Sequence, residues 1–207
     1  MKNITATQHN PFGFEPPCEP FVPGYGDANA DFHVIGDHPG VHGGSESGIP
    51  FTGNPAAERL QRALVAGGLL TEAGTPPTVD KTYLSYLFLC GDRVPTEDDY
   101  ADHEPMFDTE VRAITSHVLL PVGERTTRHV FANMTAEPTA DVDMDALHAT
   151  EVKGSGWLVY PIKDPASWTD DDESELVAAL RALLQTDYRQ EAELGRFLPG
   201  DSLWRVR

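Results

Sequence analysis

VIGDHPGVHGGSESGIPFTG, residues 34–53, is the stretch from which the rest of the chain is read. A short apolar run, Phe32 to Ile35, stops at Gly36. A polar loop with five more glycines follows and closes on Pro50-Phe51-Thr52-Gly53, and Asn54-Pro55 then starts a helix. Asn accepts a first-turn N–H and Pro suits the first helical position. Strand, Gly-rich loop and helix form the usual ligand-binding unit of an α/β domain, because the loop lies at the carboxyl end of a strand and faces the positive end of a helix.

Outward from this loop, apolar segments alternate between strand and helix spacing. Leu60, Ala63 and Leu64 share one helical face, and Gly67-Gly68 ends that helix. Thr82 to Cys90 is almost wholly apolar, as in a strand covered on both faces. Thr96 followed by three acids predicts a helix start. Pro105 predicts a kink or a restart within that helix. Val118 to Val122 and Trp157 to Tyr160 read as further strands. Helices are predicted near 124–134, near 143–148 and after Thr169, the last with a stripe from Leu176 to Leu184. The order predicts a three-layer α/β/α domain with a short, mostly parallel central sheet. Residues 1–30, rich in Pro, Gly and aromatics, read as an irregular segment over a single domain of 31–207, with Tyr25 in a tight turn. The tail residues Phe197, Leu203 and Trp204 are expected to pack back.

Composition narrows the function. The 207 residues contain 15 basic and 33 acidic side chains, a formal net charge of -18. The acids are spread along the chain, which favours adaptation to molar salt over a ligand-repelling surface. In 1 M salt the Debye length is ~3 Å, so nucleic-acid binding does not require a basic patch. There is no apolar run of ~20 residues and no signal-type N-terminus, so a cytoplasmic protein with no membrane partner is expected, as a monomer. Two cysteines far apart, Cys18 and Cys90, argue against a disulfide framework. His33, His38 and His42 have neither a nearby Cys nor a helix to fix their geometry, so no metal site is assigned to them. No Gly-x-Ser-x-Gly or Walker motif is present to favour another kind of hydrolase.

In its motifs the chain resembles the uracil-DNA glycosylase superfamily, especially the bacterial and archaeal branch that carries an iron–sulfur cluster. The residues are Gly36-Asp37-His38-Pro39-Gly40, Gly48-Ile49-Pro50-Phe51-Thr52-Gly53, the strand ending Tyr86 to Gly91 with Pro95-Thr96 after it, Val118 to Arg128, and Pro161 to Ala166. The resemblance spans roughly residues 24–185. It implies excision of uracil or another deaminated base from DNA by hydrolysis of the N-glycosidic bond. Such an enzyme flips the nucleotide out, stacks and reads the base, and places a water against an oxocarbenium-like sugar.

Position by position, the resemblance makes Asp37, His38 and Asp164 the candidate catalytic residues, with Asp37 and His38 handling water. Gly36, Pro39, Gly40, Phe51 and Tyr86 become candidate base-binding residues, Phe51 by stacking. Lys163, Pro165 and Ser167 become candidate DNA contacts. Three polar positions depart from the family: Asp37 replaces Glu, Tyr86 replaces the uracil-reading Asn, and Asp164 replaces His. These departures support an alternative, a relative that binds nucleic acid or a nucleotide without excision. Cys90 matches one cluster ligand, Cys18 a second, and His103 stands where another Cys is expected. Two cysteines cannot supply four thiolates, so no cluster is expected.

Overall fold

The computed structural model describes residues 7–91, 93–139 and 142–194. The expected packing of Phe197, Leu203 and Trp204 lies outside the described residues. In chain order the elements are β1 (Thr7–His9), β2 (Tyr25–Asp27), β3 (Phe32–Gly36), α1 (Pro39–His42), α2 (Pro55–Gly67), β4 (Leu70–Glu72), β5 (Thr78–Val79) and β6 (Thr82–Tyr86). They continue with α3 (Glu97–Ile114), β7 (Val118–Pro121), α4 (Glu124–Met134), α5 (Met144–Leu147), β8 (Val152–Lys153) and β9 (Leu158–Val159). A 3₁₀ turn (Pro165–Ser167), α6 (Asp170–Leu183) and α7 (Tyr188–Leu194) follow.

A seven-stranded sheet runs in the order β1-β2-β6-β3-β7-β9-β8, with β4 and β5 as a separate ribbon. The central strands β6, β3, β7 and β9 are mutually parallel, and β2, β1 and β8 are antiparallel additions. Successive strand side chains point to opposite faces. Val34, Val118 and Leu120 therefore pack in one cluster with Leu60 and Leu64 of α2 and Leu176 and Leu180 of α6. Ile35 and Leu119 pack on the other face with Phe107 and Val111 of α3 and Val130 and Phe131 of α4. This is the three-layer α/β/α arrangement. Because the central strands are parallel, the segments after β3, β6, β7 and β9 all leave at one rim.

Several details differ from the sequence reading. Tyr25 lies in β2 rather than a turn, and residues 7–9 and 25–27 extend the sheet, so the N-terminal segment is not wholly irregular. The apolar run 82–90 is a strand only to Tyr86; its remainder pairs at the isolated Phe21–Cys90 bridge. Helix α3 runs through Pro105 without a restart. Pro removes one N–H donor, and Thr109 donates its hydroxyl to the Pro105 carbonyl at 2.7 Å. Cys18 and Cys90 form a disulfide, against the expectation from their spacing. The N-terminal strand pairing carries Cys18 across 72 residues of sequence to Cys90, a proximity that spacing alone does not reveal. Among the described residues no helix is long and apolar enough to cross a membrane.

Candidate active site

The Gly-rich loop is held from beneath by Tyr86. Its hydroxyl, on the last residue of β6, donates to the carbonyls of His42 (3.1 Å) and Gly43 (2.9 Å) and accepts the Phe51 N–H at 2.7 Å. One phenol thus joins both limbs of the loop. Glycine is required where these groups crowd. A Cβ on Gly36 would meet the Tyr86 ring at 2.6 Å, and one on Gly43, whose φ is +87°, would meet the Thr52 carbonyl at 2.1 Å. Phe51 itself has φ +57°, a left-handed conformation that costs a bulky residue about 1–2 kcal/mol. Hydrogen bonds on both sides fix it there: Tyr86 accepts its N–H, and Gln61 Nε2 donates to its carbonyl at 2.6 Å.

These bonds bear on two base-binding assignments. Tyr86 is fully buried and its hydroxyl is committed to the loop backbone, so it has no free polar atom with which to read a base. Phe51 is 1% exposed, and the rings of Tyr86 and His42 pack on it with centroids 5.1 and 5.7 Å away. It presents no open stacking face. Gly36 likewise serves ring packing, and Pro39 opens α1 and is buried.

Beside this covered pocket lies an open cleft of about 640 Å³. Asp37 and His42 line it together with Gly123, Arg125, Asp143, Lys163, Asp164 and Ser167. It therefore gathers residues from the segments after β3, β7 and β9, at the rim where the parallel strands end. Asp37, Asp164, Lys163 and Ser167 from the sequence reading meet here.

Asp37 is partly buried, and its carboxylate accepts a hydrogen bond from the Tyr100 hydroxyl of α3. Burial and the Asp37 carboxylate push the Tyr100 phenol up, which keeps it a protonated donor. Arg125 stacks its guanidinium 4.4 Å from the Tyr100 ring and pairs with Glu97 at 2.7 Å. Tyr100 and Arg125 escaped the sequence reading. A polar-tipped ring opening the helix after the matched strand was the available signal.

His42 also belongs to this site, although the sequence reading weighed it only as a metal ligand. Its Nδ1 lies 3.0 Å from the Asp37 backbone N–H, which can only donate. The ring proton is therefore on Nε2. That atom is buried and has no partner among the described residues, beside Gly123 at the cleft. Burial lowers the His42 pKa to about 4, with Asp164 and Asp37 opposing, so the ring is neutral at neutral pH.

The other candidates have structural tasks. His38 is buried, and its Nδ1 caps α1 by accepting the Gly40 N–H at 3.1 Å. It is not among the residues that line the cleft. Gly40 is exposed and lies against that imidazole. Asp164 caps the 3₁₀ turn through the Ala166 N–H at 2.9 Å, and its carbonyl accepts the Ser167 hydroxyl. Pro165 is buried within the turn. Lys163 is not a free cation: Nζ pairs with Asp145 at 2.5 Å and Asp172 at 3.3 Å. A phosphate at Lys163 would have to displace both carboxylates.

Cys18, Cys90 and His103 are the one set of metal-type donors that converges among the described residues. Three donors, one an imidazole, do not meet the four-thiolate requirement of an iron–sulfur cluster of the resembled branch.

A model of the uracil DNA glycosylase superfamily matches residues 23–184. The chain is 27% identical over 155 residues to the type-5 uracil-DNA glycosylase of Pyrobaculum aerophilum, an alignment covering 70% of this chain and 65% of that protein. It is 26% identical over 180 residues to the type-4 uracil-DNA glycosylase of Saccharolobus solfataricus, covering 83% of this chain and 74% of that one.

Proposed function

The chain belongs to the uracil DNA glycosylase superfamily, and from that premise we propose that it hydrolyses the N-glycosidic bond of a deaminated base in DNA, in the cleft walled by Asp37. The observation that carries this reading is the Asp37 carboxylate itself. It occupies the motif position at the end of β3, is bonded by Tyr100 and faces an open cleft. There it orients a water and balances the positive charge that develops on the sugar as the bond breaks.

The base-reading part is rebuilt rather than retained. With Phe51 covered and Tyr86 committed, His42 is the ring at the cleft wall. Its unpartnered Nε2–H is the neutral donor for an oxygen of the leaving base, the task that Asp164 cannot perform as a carboxylate. Because that atom is buried, its use by a flipped base requires a local shift of the loop. Without the Asn amide, discrimination for uracil is reduced, and hypoxanthine and xanthine become equally reasonable substrates. Asp37, Glu124, Asp143, Asp145 and Asp164 around the cleft repel phosphates in dilute buffer, so the activity belongs to molar salt, where charges are screened beyond ~3 Å. The high acidic content agrees with a halophilic setting.

Single-turnover excision in molar KCl tests this reading, on single- and double-stranded oligonucleotides carrying uracil, hypoxanthine or xanthine. Alkali-cleavable abasic product is expected from the wild type, with Asp37→Asn slower by about a hundredfold or more. A second reading, binding without excision, is favoured by the covering of Phe51 by Tyr86 and His42. Folded wild-type protein that binds these oligonucleotides but yields no product on any of them selects that second reading.

A further inference from the structure

The donor set that fails to suit a cluster suits a single ion. We propose that Cys18, Cys90 and His103, once the disulfide is reduced, bind one thiolate-preferring divalent cation of the zinc class, with a fourth position open to water. The proposal is independent of base excision.

The three donors come from three segments: the N-terminal segment, the stretch after β6, and α3. All their donor atoms lie within 4.8 Å of one another. Cys90 is 2% exposed and His103 4%, so the ion would be largely shielded from water. The His103 ring is already turned as a ligand. Its Nδ1 lies 3.0 Å from the Asp99 carbonyl, which can only accept, so Nδ1 carries the proton and Nε2 offers its lone pair to the sulfurs. The edge contact with Phe88, centroids 4.4 Å apart, holds that ring in place.

Distances support one tetrahedral ion. Zinc–sulfur bonds of ~2.3 Å and zinc–nitrogen bonds of ~2.0–2.1 Å place sulfur and nitrogen ~3.6 Å apart along a tetrahedral edge. The Cys90 Sγ to His103 Nε2 distance is 3.5 Å. Two ligand sulfurs need ~3.8 Å. Reduction supplies that separation by side-chain rotation, because the Cα atoms are already 5.9 Å apart. The backbone around the sulfurs is pinned independently, by Val22 N–H to the Leu89 carbonyl (2.8 Å) and Gly91 N–H to the Pro20 carbonyl (3.2 Å). Two thiolates and an imidazole select zinc-like ions over the oxygen-seeking calcium and magnesium. The ion would tie the N-terminal segment to α3 where reductants keep thiols free.

Full-length protein is treated with a water-soluble phosphine, which reduces the disulfide to two thiols and leaves as its oxide. Cobalt(II), as a zinc probe, is then titrated without oxygen, each thiol releasing one proton on binding. One equivalent is expected to give a thiolate-to-cobalt charge-transfer band with tetrahedral d–d bands, and zinc is expected to abolish both. Loss of a directly bound ligand should exceed the 10–100-fold cost typical of an outer partner, so His103→Ala and Cys18→Ser weaken binding by more than about tenfold. His103→Cys restores it. Circular dichroism of each variant separates lost binding from lost folding. Absence of the band in folded, reduced wild type overturns the proposal, as does its persistence unchanged in folded His103→Ala. A stable four-iron chromophore formed with ferrous iron and sulfide also overturns it.

Discussion

Asp37 is useful only if its carboxylate stays aimed at the cleft, and a single phenol provides that aim. Tyr100 reaches from α3 across 63 residues of sequence to bond it, and Arg125 braces the Tyr100 ring from α4. Tyr100→Phe deletes the donor and keeps the ring and its stack. The single-turnover excision rate is expected to fall by about tenfold or more, since a hydrogen bond to a charged group is worth ~1.5–3 kcal/mol. Affinity for the same DNA and the unfolding midpoint are expected to stay near wild type. A rate equal to wild type would remove Tyr100 from the mechanism. Asp37 was legible in the sequence because a motif of fixed spacing carries it. Tyr100 and the unpartnered His42 Nε2 were not, because their roles arise only when α3 and the turn at Gly123 meet the loop. The bonds of Tyr86 were hidden for the same reason, since position alone cannot show that a hydroxyl meets three backbone groups.

Among the elements, α2 and α6 set the height of the turn that carries Asp164. Arg59 of α2 joins them. Its guanidinium donates to Glu173 at 2.7 Å and to the Trp168 and Thr169 carbonyls at 2.6 and 2.8 Å, and it stacks 5.7 Å from the Trp168 ring. A lysine keeps the charge but not the planar fork. Arg59→Lys is expected to lower stability by about 1–3 kcal/mol in denaturant titration and to slow excision through the loosened Asp164 turn. No change in either quantity would show that the apolar contact of α2 with α6 suffices. The helices themselves were legible because their starts are written locally: Asn54 before Pro55, Thr96 and Thr169 each three residues before an Asp, all of which cap as their chemistry requires. Strands β1, β2 and β8 were not. Runs of two or three residues are too short to show alternation, and their partners lie far along the chain. The disulfide was hidden by the same distance, since only the pairing of the N-terminal segment beside β6 brings its cysteines together.

For the molecule as a whole, the net charge of -18 suggests that pH acts through general repulsion, but molar KCl screens that term to ~3 Å and leaves the buried groups in control. The most consequential is Glu110 of α3, 1% exposed, whose Oε1 accepts the Tyr83 hydroxyl at 2.9 Å. Burial, opposed by its hydrogen bonds, raises its pKa from 4.5 to about 7. Between those values the folded chain holds a proton that the unfolded chain releases. Glu110 therefore stabilises the fold most fully below pH ~4.5 and loses that contribution as pH rises through 7, by at most about 3 kcal/mol. His33 and His42 act in the opposite sense. Burial lowers their pKa values to about 3 and 4, so the stability they confer is complete above pH ~6.5 and is lost as pH falls through those values. In the wild type Glu110 offsets only part of the histidine trend across pH 4.5–6.5, since one group opposes two. Glu110→Gln keeps an acceptor for Tyr83 and removes the proton equilibrium, leaving the histidines unopposed. In molar KCl, urea unfolding at a series of pH values is expected to show the variant gaining on the wild type by up to about 3 kcal/mol from pH 4.5 to 7. A stability difference that stays constant across that window would mean that Glu110 is ionised in the folded protein, and that its hydrogen bonds from Tyr83, Ser85 and the Gly24 backbone are enough to hold a buried carboxylate between the sheet and α3.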